Sequence, residues 1–464
     1  MTAACGPPSA RPPCVKKFNA TCTHLYTTVF LGFATPSLTP LDVATLQACG
    51  LTVRVEDDGR TARPGLELDR TARAPHRRLL DAAGFMRGES AQDSRVGEEP
   101  FDTLAAEMAA LEVPGDTTSS TLLPAALWNL DVLDSRPAAS RDGVYRPALS
   151  NGGRGVTIYH LDTGIDPGHR EFAGGRAEVA ADLTGGEGED DDGHGTHTAS
   201  TAVGALVGVA PAATLKAYRV LDGAGAGRVS ALVAALDQIV ASRRAATNAS
   251  SPSTPNPPSA VALMSLGTPA DPTRANSNAV RIAVRALVKT GVVVVAAAGN
   301  GGPGDDACGT LPAALAGDGP ASGVLAVAAA DLGGDKFQID GGGGGRPKKR
   351  STTPPYPFSS TGRCVSVWSP GVDVLGACGA SGRCQGHESG RAYTFASGSS
   401  MAAPHVAGAA ALFLAARPGA TPAEVVGWVV GQATGGAVVG GRGRGEGGAA
   451  LAGTTDRLLY VGEE

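Results

Sequence analysis

Gly398-Ser399-Ser400-Met401-Ala402-Ala403-Pro404-His405-Val406-Ala407-Gly408 is the stretch from which the organisation of this chain is read. A glycine lets the backbone turn sharply, two serines follow, and the small-residue run continuing to Ala411 predicts a helix able to pack closely against its neighbours. Such a turn presents Ser400 at a helix N-terminus, where backbone N–H groups and the positive end of the dipole can stabilise an oxyanion. Taken alone, a Gly-Ser-Ser is better read as a helix cap or a small buried residue. As a nucleophile, Ser400 needs a histidine base, and that base needs a carboxylate to orient it. Both kinds of residue occur upstream.

Working outward, 464 residues with 42% hydrophobic content are enough for a large core and for two or three domains. A net charge of −5, with Lys348-Lys349-Arg350 the one compact basic cluster, speaks against a nucleic-acid partner. The purely apolar run 292–298 is too short to span a bilayer and suits a buried strand, and no membrane segment is expected. A charged start followed by an apolar stretch is not seen at Met1, so no secretory signal is visible there.

Residues 1–58 read as a small α+β unit, with a strand over 26–33, a short helix over 40–49 and a second strand over 51–56. Residues 59–125 are charged and rich in Ala and Arg, with a weak helical pattern at 101–111, and read as a largely disordered insert. The main domain is assigned to 126–464.

In that domain a β-branched strand over 155–161 ends at Asp162-Thr163-Gly164, which places Asp162 at a carboxyl end, where catalytic groups of parallel sheets collect. An aspartic-protease reading would need a second Asp-Thr-Gly, and the sequence has none. An acidic, glycine-rich loop, read as solvated, precedes Gly193-His194-Gly195-Thr196-His197. A histidine between glycines before a helix can turn its ring to a cleft and exchange protons. His194 and His197 as metal ligands would need further histidine or cysteine partners, and none lies nearby in the sequence. Strands at 214–220, 260–266 and 292–298 then alternate with helices at 229–241 and 276–289, an order that implies a parallel sheet. The last strand delivers Asn300, either a turn former or an oxyanion donor.

Asp162-Thr163-Gly164, Gly193-His194-Gly195-Thr196-His197, Ala298-Gly299-Asn300 and the Gly398 to His405 stretch resemble, in order, the four signature motifs of the subtilases. Trp128-Asn129-Leu130, Asp306-Ala307-Cys308 and Arg457-Leu458-Leu459-Tyr460 are most similar to the proteinase K-like branch, and the N-terminal unit to part of an inhibitor-type propeptide. The resemblance implies an α/β three-layer fold with a mostly parallel central sheet and helices on both faces, preceded by a degenerate α+β propeptide unit.

The roles implied are the family's own: Ser400 as nucleophile, His194 as base and then acid, Asp162 as its orienting carboxylate, and Asn300 with the Ser400 N–H as oxyanion donors. Substrate is expected to add as a β-strand between 223–227 and Ser265-Leu266-Gly267, with Ala297 and Gly299 in the binding site and Ala296 to Ala298 walling a roomy apolar P1 pocket. Asp191 and Asp192 raise the alternative of basic residues nearby. Ser399 stands for the family's usual threonine, and Thr268 for a second glycine, which would narrow the cleft. Ser366 stands where a calcium-ligating aspartate would be, so no calcium is expected there and no cofactor is assigned. Cys308 and Cys364 occupy positions bridged in some relatives, and Cys378 and Cys384 flank a short loop that could close locally; disulfides imply an oxidising compartment. Two inserts, 243–259 and 333–357, are expected to be flexible surface loops. The expectation is an extracellular or vacuolar serine endopeptidase, a monomer acting on proteins, made as a zymogen that cuts itself between about Pro114 and Ala125. The alternative is a catalytically silent binding protein of the same fold.

Overall fold

Runs of valine, isoleucine and alanine too short for helices, bounded by glycine turns, form the strands here, and longer alanine-rich runs form the helices. The structure, a computed structural model, describes residues 24–26, 32–34, 60–62, 127–136, 144–186, 188–249, 257–270, 278–302, 304–331, 337–338, 358–379, 392–439 and 453–463. The N-terminal part contributes β1 (His24–Tyr26), β2 (Gly32–Ala34) and β3 (Arg60–Ala62). The main domain opens with α1 (Trp128–Asp134), β4 (Thr157–Asp162), β5 (Ala177–Asp182), α2 (His194–Val203), β6 (Thr214–Arg219), β7 (Ala226–Arg228) and α3 (Val229–Asn248). It continues with β8 (Ala260–Met264), β9 (Thr268–Pro269), α4 (Ala279–Val288), β10 (Val292–Ala297), β11 (Thr310–Leu311), β12 (Val324–Ala330), β13 (Phe337–Gln338) and β14 (Val367–Pro370). Then follow β15 (Val374–Cys378), β16 (Ala392–Ala396), α5 (Ser399–Ala416), α6 (Pro422–Gln432) and β17 (Val438–Val439).

Seven strands make one sheet in the order β14-β12-β10-β8-β4-β6-β5, with every neighbouring pair parallel. Because side chains alternate along a strand, each strand feeds two cores. Ile158, Leu263, Val295 and Val327 pack with α2, α5 and α6 on one face. Tyr159, Leu161, Ala262 and Val294 pack with α3 and α4 on the other. This is the expected α/β three-layer arrangement.

Helix α5 is apolar all round, and its residues from Ser399 to Leu414 are buried. It is long and apolar enough to cross a membrane, but 89% of it lies inside the molecule, as the central core helix. It lies beside α2, whose ten residues are all buried. Two buried helices therefore deliver their N-termini, with Ser400 and His194, to one region.

The structure corrects several expectations. The single strand expected over 26–33 is two strands, since β1 pairs antiparallel with β2 and a lone strand would leave its backbone groups unpaired. Residues 243–248, read as the start of a flexible insert, continue α3, whose alanines and arginines favour helix. Arg243 is buried and donates to the carbonyls of Pro258 and Thr290. Strands β5, β12 and β14 are additional to those expected. The helices at 40–49 and 101–111, the strand at 51–56, Cys384 and the 114–125 segment lie outside the described residues, as does most of the 333–357 insert.

Candidate active site

Strand β4 carries Asp162 as its last residue, and the side chain is fully buried. Its Oδ1 lies 2.6 Å from Nδ1 of His194, the first residue of α2, and also accepts the Thr163 N–H at 2.8 Å. Burial works to raise the Asp162 pKa, but His194, by charge and hydrogen bond, together with His160 and the Thr163 N–H, outweighs it and holds the carboxyl below the usual carboxylate range. Asp162 is thus an anion at neutral pH, and His194 Nδ1 donates to it.

His194 Nε2 meets no hydrogen-bond partner among the described residues. The Ser400 hydroxyl donates instead to the Ser265 carbonyl, 3.3 Å away. Asp162 and His194 are therefore joined, while Ser400 stands with its hydroxyl turned to Ser265. Hydrogen bonds of this kind are often loose in the unliganded state.

Gly398 precedes Ser400 with φ +151°, and a Cβ there would lie 2.9 Å from Asn300 Nδ2, so the turn requires glycine. The Asn300 side-chain oxygen accepts the Ser399 N–H at 2.8 Å, and the Ser399 hydroxyl accepts the Gly299 N–H at 3.1 Å. These reciprocal bonds lock the loop after β10 to the start of α5. Ser265 is fixed in turn by Pro404. With no N–H, Pro404 cannot bond the carbonyl four residues back, and that carbonyl, on Ser400, accepts the Ser265 hydroxyl at 2.9 Å. Ser265 and Leu266 are buried, and Gly267 packs against Thr310, where a Cβ would clash. Thr268 lies in β9, paired with Leu311 of β11. Ala296, Ala297 and Ala298 are buried as well.

The acidic loop is solvated in part: Gly185, Gly186, Glu189 and Asp191 are exposed, whereas its other two aspartates turn inward. Asp190 and Asp192 are buried because the N-terminus of α2 needs acceptors. Asp190 takes the Gly193 and Thr196 N–H groups at 2.9 and 2.7 Å and the Thr163 and Thr196 hydroxyls at 2.8 and 2.6 Å, while Asp192 takes the His194 N–H at 3.1 Å. Asp191 pairs with Arg219 at 2.8 Å. Of the two acids offered as an alternative for basic substrate residues, Asp192 is buried, and Asp191 stays half exposed beside Arg219. The aspartate three residues before Gly193 was the available signal for this cap.

His197 donates Nε2–H to the Val374 carbonyl at 3.0 Å, and burial lowers its pKa to about 4. His405 bonds the Met401 carbonyl through Nδ1 and accepts from Asn129 through Nε2, both at 2.8 Å, and burial lowers its pKa to about 3. These two neutral histidines fasten α2 to β15 and α5 to α1. Cys308 and Cys364 form a disulfide with Cα atoms 5.3 Å apart. Cys378 is disulfide-bonded to a partner outside the described residues. The Ser366 hydroxyl accepts the Ala326 N–H at 3.1 Å. Strand β7, in the segment expected to meet substrate, pairs antiparallel with β3, Thr61 opposite Gly227 and Ala62 opposite Ala226.

Comparison with known proteins agrees with this arrangement. A model of the subtilase family matches residues 153–449. The subtilisin-like serine protease Pen ch 13 of Penicillium rubens is 34% identical over 337 residues, covering 72% of this chain and 68% of the relative. An extracellular serine proteinase of Thermus sp. is 34% identical over 319 residues, 68% of this chain and 64% of its own length. Among solved structures, a cold-adapted subtilisin-like serine proteinase matches with a TM-score of 0.54 and 30% identity, covering 73% of this chain and 98% of its own. With a family model matching over half of its length on a parallel sheet that brings Asp162 to His194, the chain belongs to the subtilase family.

Proposed function

We propose that the protein is a serine endopeptidase in which Ser400, His194 and Asp162 hydrolyse peptide bonds through an acyl-enzyme. The observation that carries this reading is the 2.6 Å bond between His194 Nδ1 and Asp162 Oδ1, which leaves Nε2 on the opposite side of the ring to take a proton. The reaction requires the Ser400 side-chain torsion to turn the hydroxyl from Ser265 toward Nε2. Oγ then attacks the carbonyl carbon, the proton passes to His194, and Asp162 stabilises the imidazolium. The same proton goes to the leaving amine, and water repeats the sequence on the acyl-enzyme. Of the first N–H groups of α5, that of Ser399 is held by Asn300 and that of Met401 by the Gly398 carbonyl. The Ser400 N–H between them, with the Asn300 amide, is assigned to the oxyanion.

Protein substrates are read through their backbone, as a strand added between β7 and the Ser265-Leu266-Gly267 segment, with Ala297 and Gly299 nearby. The antiparallel pairing of the chain's own Arg60–Ala62 on β7 supports that mode, and the contact of β1 with α3 supports residues 1–58 as a propeptide docked on a peptidase domain at 126–464. Location outside the cell or in a secretory or vacuolar lumen is supported by the Cys308–Cys364 bridge and by the extracellular relative. The working state is proposed to be a monomer without cofactor.

A fluorophosphonate probe tests the reading: wild type is expected to label at Ser400, and Ser400→Ala to remain unlabelled. Folded wild type that does not label would make the protein a silent binding protein of the subtilase fold.

A further inference from the structure

On the face of β4 that meets α2 and α5, alternate residues are Val156, Ile158, His160 and Asp162. The first two belong to the apolar core, so the third position calls for another aliphatic side chain. It holds a histidine with no exposed surface. An imidazole buried there is unfavourable unless it is hydrogen-bonded. His160 Nε2 lies 2.9 Å from the Thr198 hydroxyl, which is 3.3 Å from Asp162 Oδ2 and 3.2 Å from the Gly195 carbonyl. His160 Nδ1 has no partner among the described residues. Thr198 lies one helical turn after His194 on α2.

These contacts divide the Asp162 carboxylate between two sets of donors. Oδ1 takes His194 and the Thr163 N–H; Oδ2 takes the Thr198 hydroxyl. The tautomer of His160 decides where the Thr198 proton points. With the proton on Nε2, His160 donates to Thr198, whose own proton is free for Asp162. With the proton on Nδ1, an N–H is buried unpaired and the Nε2 lone pair draws the Thr198 proton away from the carboxylate.

We propose that His160 is a positioning residue of the triad: its Nε2–H, given to Thr198, turns the Thr198 hydroxyl onto Asp162 Oδ2 and holds the carboxylate with Oδ1 toward His194. The inference rests on the assignment of Asp162, His194 and Ser400 as the triad. A charged His160, with Nε2 3.6 Å from Asp162 Oδ2, would compete with His194 for the same anion. Burial lowers its pKa, with nearby His194 acting in the same direction and Asp162 and Asp190 opposing, so it stays a neutral donor. Its sheet neighbours across β6 and β8, Ala217 and Leu263, carry no charge.

The test is steady-state kinetics of His160→Leu, His160→Gln and Thr198→Val over a pH series, each normalised to active sites by fluorophosphonate titration. His160→Leu and Thr198→Val are expected to lower kcat about 10-fold with KM within about 2-fold, the loss of one hydrogen bond to a charged group. Fewer donors leave a more basic carboxylate that holds the imidazolium more tightly, so the acidic limb of the kcat/KM profile moves up by about 0.5 pH unit. His160→Gln, whose Nε2 can still donate to Thr198, should keep the wild-type profile, and His160→Leu combined with Thr198→Val should be no worse than either alone. A merely structural role would lower thermal stability without moving the limb, and an unmoved limb overturns the proposal. So does His160→Gln behaving like Thr198→Val, the comparison that decides if His160→Leu does not fold. Wild type that fails to label sinks the triad assignment instead.

Discussion

Ser400 stands at a point where backbone and side chain are constrained by different neighbours, its carbonyl by Ser265 and its turn by Asn300 and Gly398. The hydroxyl is the group left to move. Ser400→Ala and His194→Ala are therefore each expected to reduce peptide hydrolysis to the background left by the oxyanion donors, because the triad acts as a unit. Asn300→Ala should lower kcat about 10²–10³-fold with little change in KM; subtilisin, of this same family, is the case from which that magnitude comes. Equal effects on kcat and KM would remove Asn300 from the oxyanion site. Asn300→Ala also releases the Ser399 N–H, so circular dichroism of the variant should accompany the kinetics.

At the scale of elements, two buried neutral histidines act as fasteners, and their protonation is linked to folding. His197 and His405 have folded pKa values lowered to about 4 and about 3, against 6.5 for an ordinary histidine. Below pH 6.5 the unfolded chain binds protons that the folded one refuses. Their contribution is therefore complete above about pH 6.5 and is lost as pH falls toward 4, at about 1.4 kcal/mol per pH unit for each histidine. Urea unfolding of Ser400→Ala, which avoids autolysis, should show about 3 kcal/mol less stability at pH 5 than at pH 6.5; a flat profile would refute the linkage. The Cys308–Cys364 bridge spans 56 residues, and its removal by Cys308→Ser and Cys364→Ser together should cost about 4 kcal/mol in the chain-entropy model, read as a lower urea midpoint. Strand and helix periodicity made Asp162, His194 and Asn300 legible in sequence, because each ends or begins an element whose apolar pattern is regular. The network beneath them was not. His160 reads as one polar residue in a strand, and Asp190 as one acid in a polar loop. Their roles arise from contacts with Thr198 and with the α2 N-terminus, which spacing along the chain does not encode.

At the scale of the molecule, Ser366 and the acidic loop both bear on calcium. The Ser366 hydroxyl is held by a backbone N–H, and the Asp190 carboxylate already receives four donors, so neither is a ready ligand. EDTA should therefore leave the melting temperature nearly unchanged, and a large drop would reveal a calcium site elsewhere. Maturation is the remaining molecular question. Sequence alone puts the cut between Pro114 and Ala125, a few residues before α1, but that segment lies outside the described residues. What the structure adds is β3 on the substrate edge. β3 runs antiparallel to β7, with Ala62, its last residue, opposite Ala226. The expected first cut thus moves upstream, to within a few residues after Ala62, and residues from there to about 125 are removed later or remain as an N-terminal extension. Closure of the longer link costs about 1 kcal/mol or less, so an intramolecular cut at either place is feasible. N-terminal sequencing of early and late products should give a first start near residues 63–66. A first start at 115–126 would restore the downstream site, and Ser400→Ala cut like wild type would show that another protease does the work.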